Sequence, residues 1–287
     1  MLVFMNYFLL CRFSIHDAAV VGPRLIHTIT IDDKVCGVAL LNNELFVLRH
    51  RSDNQIAVYS TINFTLLRHL SVNSRYGLNY IAACPQKRCL YVLNSTEYGV
   101  HRLGLDGSEC KWPLTTDRPV SLSVTRSTHI LVLCISVNDD NYEVPQVQFL
   151  SGENGECVRM IMPQVSHDFD YFHCAEVKDD QYVLAYDGHE LDDNGRISLF
   201  DGEGNVLRST YLDDLMRYPY HVVVDSDQFV MVCNVSCKCV DLFDPTLDYV
   251  CNMTDSIRMK PQTMVFDEFT RRLYIAESRP RVSIVQV

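Results

Sequence analysis

Six short runs of apolar, β-branched and aromatic residues recur along the chain: LFVL from Leu45, LYVL from Leu90, ILVL from Ile130, QYVL from Gln181, FVMV from Phe229 and LYIA from Leu273. Their third residues are Val47, Val92, Val132, Val183, Met231 and Ile275, so successive intervals are 45, 40, 51, 48 and 44 residues. That is the period of about 40–50 residues expected of a propeller blade. Each run is too short for an ordinary helix and reads as a strand buried on both faces. About eight residues upstream of each lies a second apolar stretch: GVAL from Gly37, YIAA from Tyr80, SLSV from Ser121, CAEV from Cys174, VVVD from Val222 and MVFD from Met264. Polar turn residues such as Asn42-Asn43 and Pro85-Gln86-Lys87 separate the two stretches, as hairpin connections do. A third strand follows downstream (QIAVYS, GVHRLGL, VQFL, RISLF, CVDLF, VSIVQV), and turns such as Asp106-Gly107 and Asp201-Gly202 lead into a fourth.

Six units of four antiparallel strands predict an all-β, six-bladed β-propeller over residues 21–287. The sixth unit stops after its third strand, while RLIHTITI at residues 24–31 is an alternating strand with no unit of its own. It is expected to complete the last blade and protect its edge. Few stretches show the helical period of 3.6. The exception is TYLDDLMRY, residues 210–218, where one helical turn is expected between blades four and five. Residues 1–20 stand apart as a leader or boundary segment. MLVFMNYFLL is apolar but lacks a basic n-region, and it is too short to span a bilayer.

Charge narrows the partners. The chain of 287 residues carries 36 acidic and 25 basic side chains, a net charge of −11, which argues against nucleic acid because phosphate binding needs a surplus of Lys and Arg on one face. No apolar run reaches the roughly 18 residues of a transmembrane helix. The twelve cysteines make up about 4% of the chain, below the roughly 8–10% of a disulfide scaffold. Cys134 and Cys233 sit inside apolar runs, where a thiol behaves as a small hydrophobe. Cys233, Cys237 and Cys239 are spaced C-x3-C-x-C, which is not a zinc spacing. Four N-x-S/T sequons, at Asn63, Asn94, Asn234 and Asn252, weigh toward secretion. Cysteine usage and the N-terminus weigh slightly more toward the cytoplasm.

The blade phrases YHVVVDSDQFVMVCNVSCKCVDLF (220–243) and PQTMVFDEFTRRLYIAESRPRVSIVQV (261–287) resemble the NHL-repeat type of six-bladed propeller. In each, an apolar strand ends in Asp, a short turn follows, then two further strands. The family's Asn-x-Arg opening of the third strand has a partial echo in Asp53-Asn54-Gln55-Ile56. The resemblance implies recognition of protein or RNA, and the acidic balance leaves protein. The chain shows no RING or B-box pattern that would carry ligase activity.

Aligning the blades suggests one column at the start of the first strands: Cys36, Asn79, Val120, His173, His221 and Thr263. First strands line a propeller's channel, so His173 and His221 are expected side by side at one level. The column resembles in part the three channel histidines that hold zinc in propellers of the peptidylglycine amidating lyase type. Two histidines fall short of a zinc site, and they are carried as a candidate metal pair. Asp225 and Asp267 end first strands. Lactonase-type propellers bind a divalent cation through channel Glu, Asn and Asp, but here turn capping is the stronger expectation. Two long acidic connections, 137–145 and 187–195, lie in blades three and four. The second lacks the order of a calcium-binding EF-hand loop. Long loops on one rim carry binding, so Asp139, Asp140, Tyr142, Glu143, His189, Glu190, Asp192 and Asp193 are the expected partner-binding residues, and their charge suits a basic partner. No G-x-S-x-G, H-E-x-x-H or P-loop motif is present. Trp112 is expected in the outer strand of blade two, packed there or partly exposed. The sequence therefore predicts a non-enzymatic protein-interaction scaffold with no cofactor. The alternatives are a zinc- or calcium-dependent propeller hydrolase or lyase and an extracellular recognition domain.

Overall fold

The computed structural model describes residues 22–50, 55–74, 77–114, 117–137, 142–165, 169–188, 195–211, 218–254 and 259–287. All regular structure among them is β-strand. Strand β1 (Arg24–Thr30) precedes blade one, which comprises β2 (Val35–Leu41), β3 (Glu44–Arg49), β4 (Gln55–Ser60) and β5 (Leu66–Ser71). Blade two is β6 (Leu78–Cys84), β7 (Cys89–Asn94), β8 (Gly99–Gly104) and β9 (Glu109–Pro113). Blade three is β10 (Arg118–Val124), β11 (Ile130–Val137), β12 (Glu143–Leu150) and β13 (Cys157–Ile161). Blade four is β14 (Phe169–Lys178), β15 (Gln181–Gly188), β16 (Arg196–Asp201) and β17 (Val206–Tyr211). Blade five is β18 (Pro219–Val224), β19 (Val230–Asn234), β20 (Cys239–Phe243) and β21 (Tyr249–Asn252). Blade six contains β22 (Pro261–Asp267), β23 (Arg272–Glu277) and β24 (Arg281–Gln286).

The sheets pair as the repeat predicts: six four-stranded antiparallel sheets, the last in the order β1-β24-β23-β22. Strand β1 closes the ring by pairing with β24, from Arg24 opposite Gln286 to Thr30 opposite Arg281. His27 stacks on Phe64 of blade one with ring centroids 4.7 Å apart, and the Arg272 guanidinium of blade six donates to Thr61 O at 3.2 Å.

Hydrophobic clusters lie between successive blades and explain why the second strands are apolar throughout rather than alternating. In β7, Leu90 and Val92 pack toward Phe46, Leu48 and Ile81, while Tyr91 and Leu93 pack toward Leu122, Val132 and Leu150. The ring closes where Leu45 and Val47 of blade one meet Tyr274, Val282 and Ile284 of blade six. Each such side chain, fully removed from water, contributes about 1.5–3 kcal/mol. Trp112, only 5% exposed, packs against Tyr91 and against Gly155 of the neighbouring blade. Gly155 has φ +75°, and a Cβ there would lie 2.2 Å from Trp112 Cγ, so both backbone and space demand glycine.

The two faces of the ring differ. On one, tight turns join first to second and third to fourth strands, using left-handed residues such as Asn42 (φ 52°) and Asn43 (φ 60°). Asp225 Oδ1 accepts from Phe229 N at 2.8 Å, and Asp267 accepts from the Phe269 and Thr270 amides and from Thr270 Oγ1. These carboxylates cap turns on this face. The other face carries the longer connections. Thr210 and Tyr211 continue β17, where a helical turn is expected from the sequence, and residues 212–217 of that stretch lie outside the described residues, as do 1–21.

Candidate functional site: the channel mouth

Every first strand carries a register shift at the same place, near its start on the long-connection face. The residue left unpaired is Cys36, Asn79, Val120, Phe172, Tyr220 or Gln262, in blades one to six. The next residue resumes pairing: Gly37, Tyr80, Ser121, His173, His221 or Thr263. Two tiers therefore ring the axis. The column expected from the sequence mixes them, taking the outer tier from blades one to three and the inner tier from blades four to six. The bulge explains the slip, because an extra residue shifts alignment by one without changing the hydrophobic pattern.

The inner tier is buried and plugs the channel. His173 and His221 do come together, with ring centroids 4.0 Å apart and planes tilted by 31°. Tyr80, from across the axis, stacks on both at 5.9 and 6.4 Å and directs its hydroxyl to Phe172 O at 3.5 Å. Nε2 of His173 lies 3.4 Å from Leu122 O, which can only accept, so Nε2 carries the proton and Nδ1 a lone pair. Burial pushes His173 down to about 4, and His221 well below the usual imidazole range, with its stacked partner adding to the effect. Both are neutral at pH 7. Burial also pushes the Tyr80 phenol well above its ordinary value. Nδ1 of both histidines and Oγ of Ser121, on three consecutive blades of one tier, are buried without a hydrogen-bond partner among the described residues, each at a cost of about 1–3 kcal/mol.

Two imidazoles are one short of the three protein ligands that a catalytic zinc site uses. Among the described residues no group of three or more His, Cys, Asp or Glu is placed to hold a metal ion.

Above the plug opens a cavity of about 450 Å³, lined by the outer tier together with Lys34, His50, Ser95, Tyr98, Arg118 and the edges of Tyr80 and Thr263. Phe172 and Tyr220 form a stacked wall with centroids 5.2 Å apart, and Tyr218 packs behind Phe172 at 6.4 Å. Asn79 and Ser95 hydrogen-bond at 2.6 Å on the opposite side. Arg118 at the rim pairs with Glu143 at 2.9 Å. Tyr98, Tyr142, Tyr218 and Tyr220 are 40%, 45%, 50% and 36% exposed, and all four belong to first-strand starts or to the connections of this face.

Of the expected partner-binding residues, Glu143 opens β12 and pairs with Arg118 of the cavity lining, and Tyr142 immediately precedes it. Asp139, Asp140, His189, Glu190, Asp192 and Asp193 lie outside the described residues, as does the Asp53-Asn54 echo. Two sequons are corrected: Asn94 and Asn234 are wholly buried, and their side-chain oxygens accept backbone N–H groups of the following turns. They terminate second strands and cannot carry a glycan in the folded chain. Cys134 and Cys233 are fully buried, and no disulfide forms among the described cysteines. Sequence reasoning missed Tyr80, Phe172, Tyr220 and Lys34. The repeated bulge was the signal that would have found the aromatics, and it is invisible in composition.

No family model and no curated protein matches the sequence. Solved structures match at the level of fold. The WD40 propeller domain of Doa1 superposes with a TM-score of 0.63 at 13% identity, covering 92% of this chain and 96% of that one. A gluconolactonase from Xanthomonas campestris gives 0.65 at 14%, covering 94% and 96%. Virginiamycin B lyase from Staphylococcus aureus gives 0.61 at 8%, covering 93% and 100%. The architecture is thus shared by a WD40 domain, a gluconolactonase and a lyase, and fold alone does not choose between their functions.

Proposed function

We propose that this chain is a non-enzymatic recognition propeller of the NHL-like type, taking a protein partner on the face around the channel mouth. One observation carries the reading: four partly exposed tyrosines share the long-connection face, Tyr98 and Tyr220 lining its cavity, Tyr218 behind Phe172 of the wall, and Tyr142 in the connection that leads into β12. Tyrosine gives large contact area for little lost side-chain entropy and is concentrated in binding hot spots. The plugged channel supports recognition over passage, since nothing threads past the Tyr80, His173 and His221 stack. The blade phrases of residues 220–243 and 261–287 support the NHL-like label.

The test is capture from cell lysate with immobilised full-length chain. Replacing Tyr98, Tyr142 and Tyr218 together by Ser is expected to remove at least nine-tenths of a specifically retained protein at unchanged melting temperature. Phe269→Ser, on the tight-turn face and 97% exposed, is expected to leave retention intact. Loss with the second variant and not the first would overturn the assignment of the face.

A further inference from the structure

From the charges at the mouth we infer that the cavity receives the C-terminal carboxylate of the partner chain, with an apolar last side chain against the aromatic wall. The inference rests on the reading of this face as a recognition surface and names what enters it. Against a whole-chain charge of −11, the cavity lining contains Lys34, Arg118 and His50 and, among the described residues, no carboxylate.

The nearby acids are engaged elsewhere. Asp32 accepts from the Arg49 guanidinium at 2.8 and 3.0 Å, which holds its carboxyl below the usual range. Asp33 accepts from the Lys34 backbone N–H at 2.7 Å, and Asp117 lies 3.5 Å from the Gln148 amide. Glu277 is held by Arg281 and Ser283. The ammonium of Lys34 has no ion-pair partner among the described residues. Arg118 does, but both members of its pair with Glu143 are about half exposed. Such a pair is worth at most about 1 kcal/mol and exchanges readily for a better-shielded carboxylate. A guanidinium and an ammonium on one rim suit a carboxylate, through a two-pronged contact from Arg and a point charge from Lys.

Geometry selects a chain end. The floor is closed by the stacked Tyr80, His173 and His221, all neutral, so an entering chain stops against an uncharged floor. The stacked wall of Phe172 and Tyr220 offers an apolar surface to the terminal side chain, and Asn79, Ser95 and Gln262 offer hydrogen bonds to the last peptide groups. A volume of about 450 Å³ lies in the range of small-ligand sites, about 300–1,000 Å³, and accommodates two or three residues.

The probes are twenty acetylated tripeptides, Gly-Gly-X, each as free acid and as C-terminal amide, titrated into the full chain at up to millimolar concentration and followed by saturation-transfer NMR. At least one free acid with apolar or aromatic X is expected to bind, its amide at least tenfold more weakly. The Lys34→Gln/Arg118→Gln variant, shown folded by circular dichroism, is expected to lower its affinity at least tenfold. Equal binding of acid and amide, unchanged binding by the variant, or no binding of any free acid overturns the inference. So does equal or tighter binding of acetyl-Gly-Glu-Gly-amide, which would assign the cavity to an acidic side chain. If these probes fail while the tyrosine variant still abolishes capture, the recognition face stands and the terminal carboxylate falls.

Discussion

At the scale of single residues, the molecule keeps polar groups where a propeller would most easily be apolar. His173 and His221 are buried, neutral and stacked, and Nδ1 of each lacks a partner among the described residues. Their folded pKa values lie below the unfolded value near 6.5, so the unfolded chain binds more protons as pH falls. Their burial is thus compatible with full stability above about pH 6.5, and stability declines between there and the folded value of about 4. For His173 alone the loss across that window is on the order of 3 kcal/mol. His173→Asn removes that titration. Urea unfolding of the wild type is expected to show stability falling from pH 7 to pH 4.5, with a visibly shallower fall in the variant. Parallel pH profiles would show that His173 is not buried neutral.

At the scale of strands, the sequence was most legible where burial is complete on both sides. Leu45–Leu48, Leu90–Leu93 and Leu273–Ala276 lie between blades, so they are apolar without interruption, and the 45-residue rhythm of such runs declares the fold. The outer strands were harder to place. In β13, Val158 is 55% exposed beside a register shift, so hydrophobicity there does not report burial. The first-strand bulge was hidden for a related reason: it adds one residue at the axis without disturbing the flanking pattern, so blades one to three and four to six slid past one another in the alignment. Strand β1 was legible because its alternation had no partner within its own unit. Its Ile29, with Ile31 just beyond it, is buried against blades one and six. A chain beginning at residue 32 leaves the β24 edge open. It is expected to melt at least 10 °C lower and to sediment as oligomers, and an unaltered monomeric melt would contradict closure by β1.

At the scale of the whole molecule, the ring has a sealed face and a receptive one. Tight turns with left-handed residues, capped by Asp225 and Asp267, finish the first. Longer connections, four exposed tyrosines and a cation-lined well mark the second, in a chain that is acidic overall. The expectation of a basic partner drew on acidic residues in the blade-three and blade-four connections. Of that set Glu143 pairs with Arg118 of the well, whose described lining is cationic. Architecture was thus readable from periodicity, whereas the site was not, because it is assembled from single residues of six distant segments that share only their height on the axis.

The most direct measurement is hydrogen–deuterium exchange on the captured complex against the free chain. Amides at 34–36, 78–80, 95–98, 118, 120, 171–173, 218, 220–221 and 262–263 are expected to slow at least fivefold on binding, and those of the tight turns at 42–43, 86–88 and 225–229 to stay unchanged. Protection confined to the tight-turn face or to the outer strands, with the mouth unaffected, would contradict the central claim.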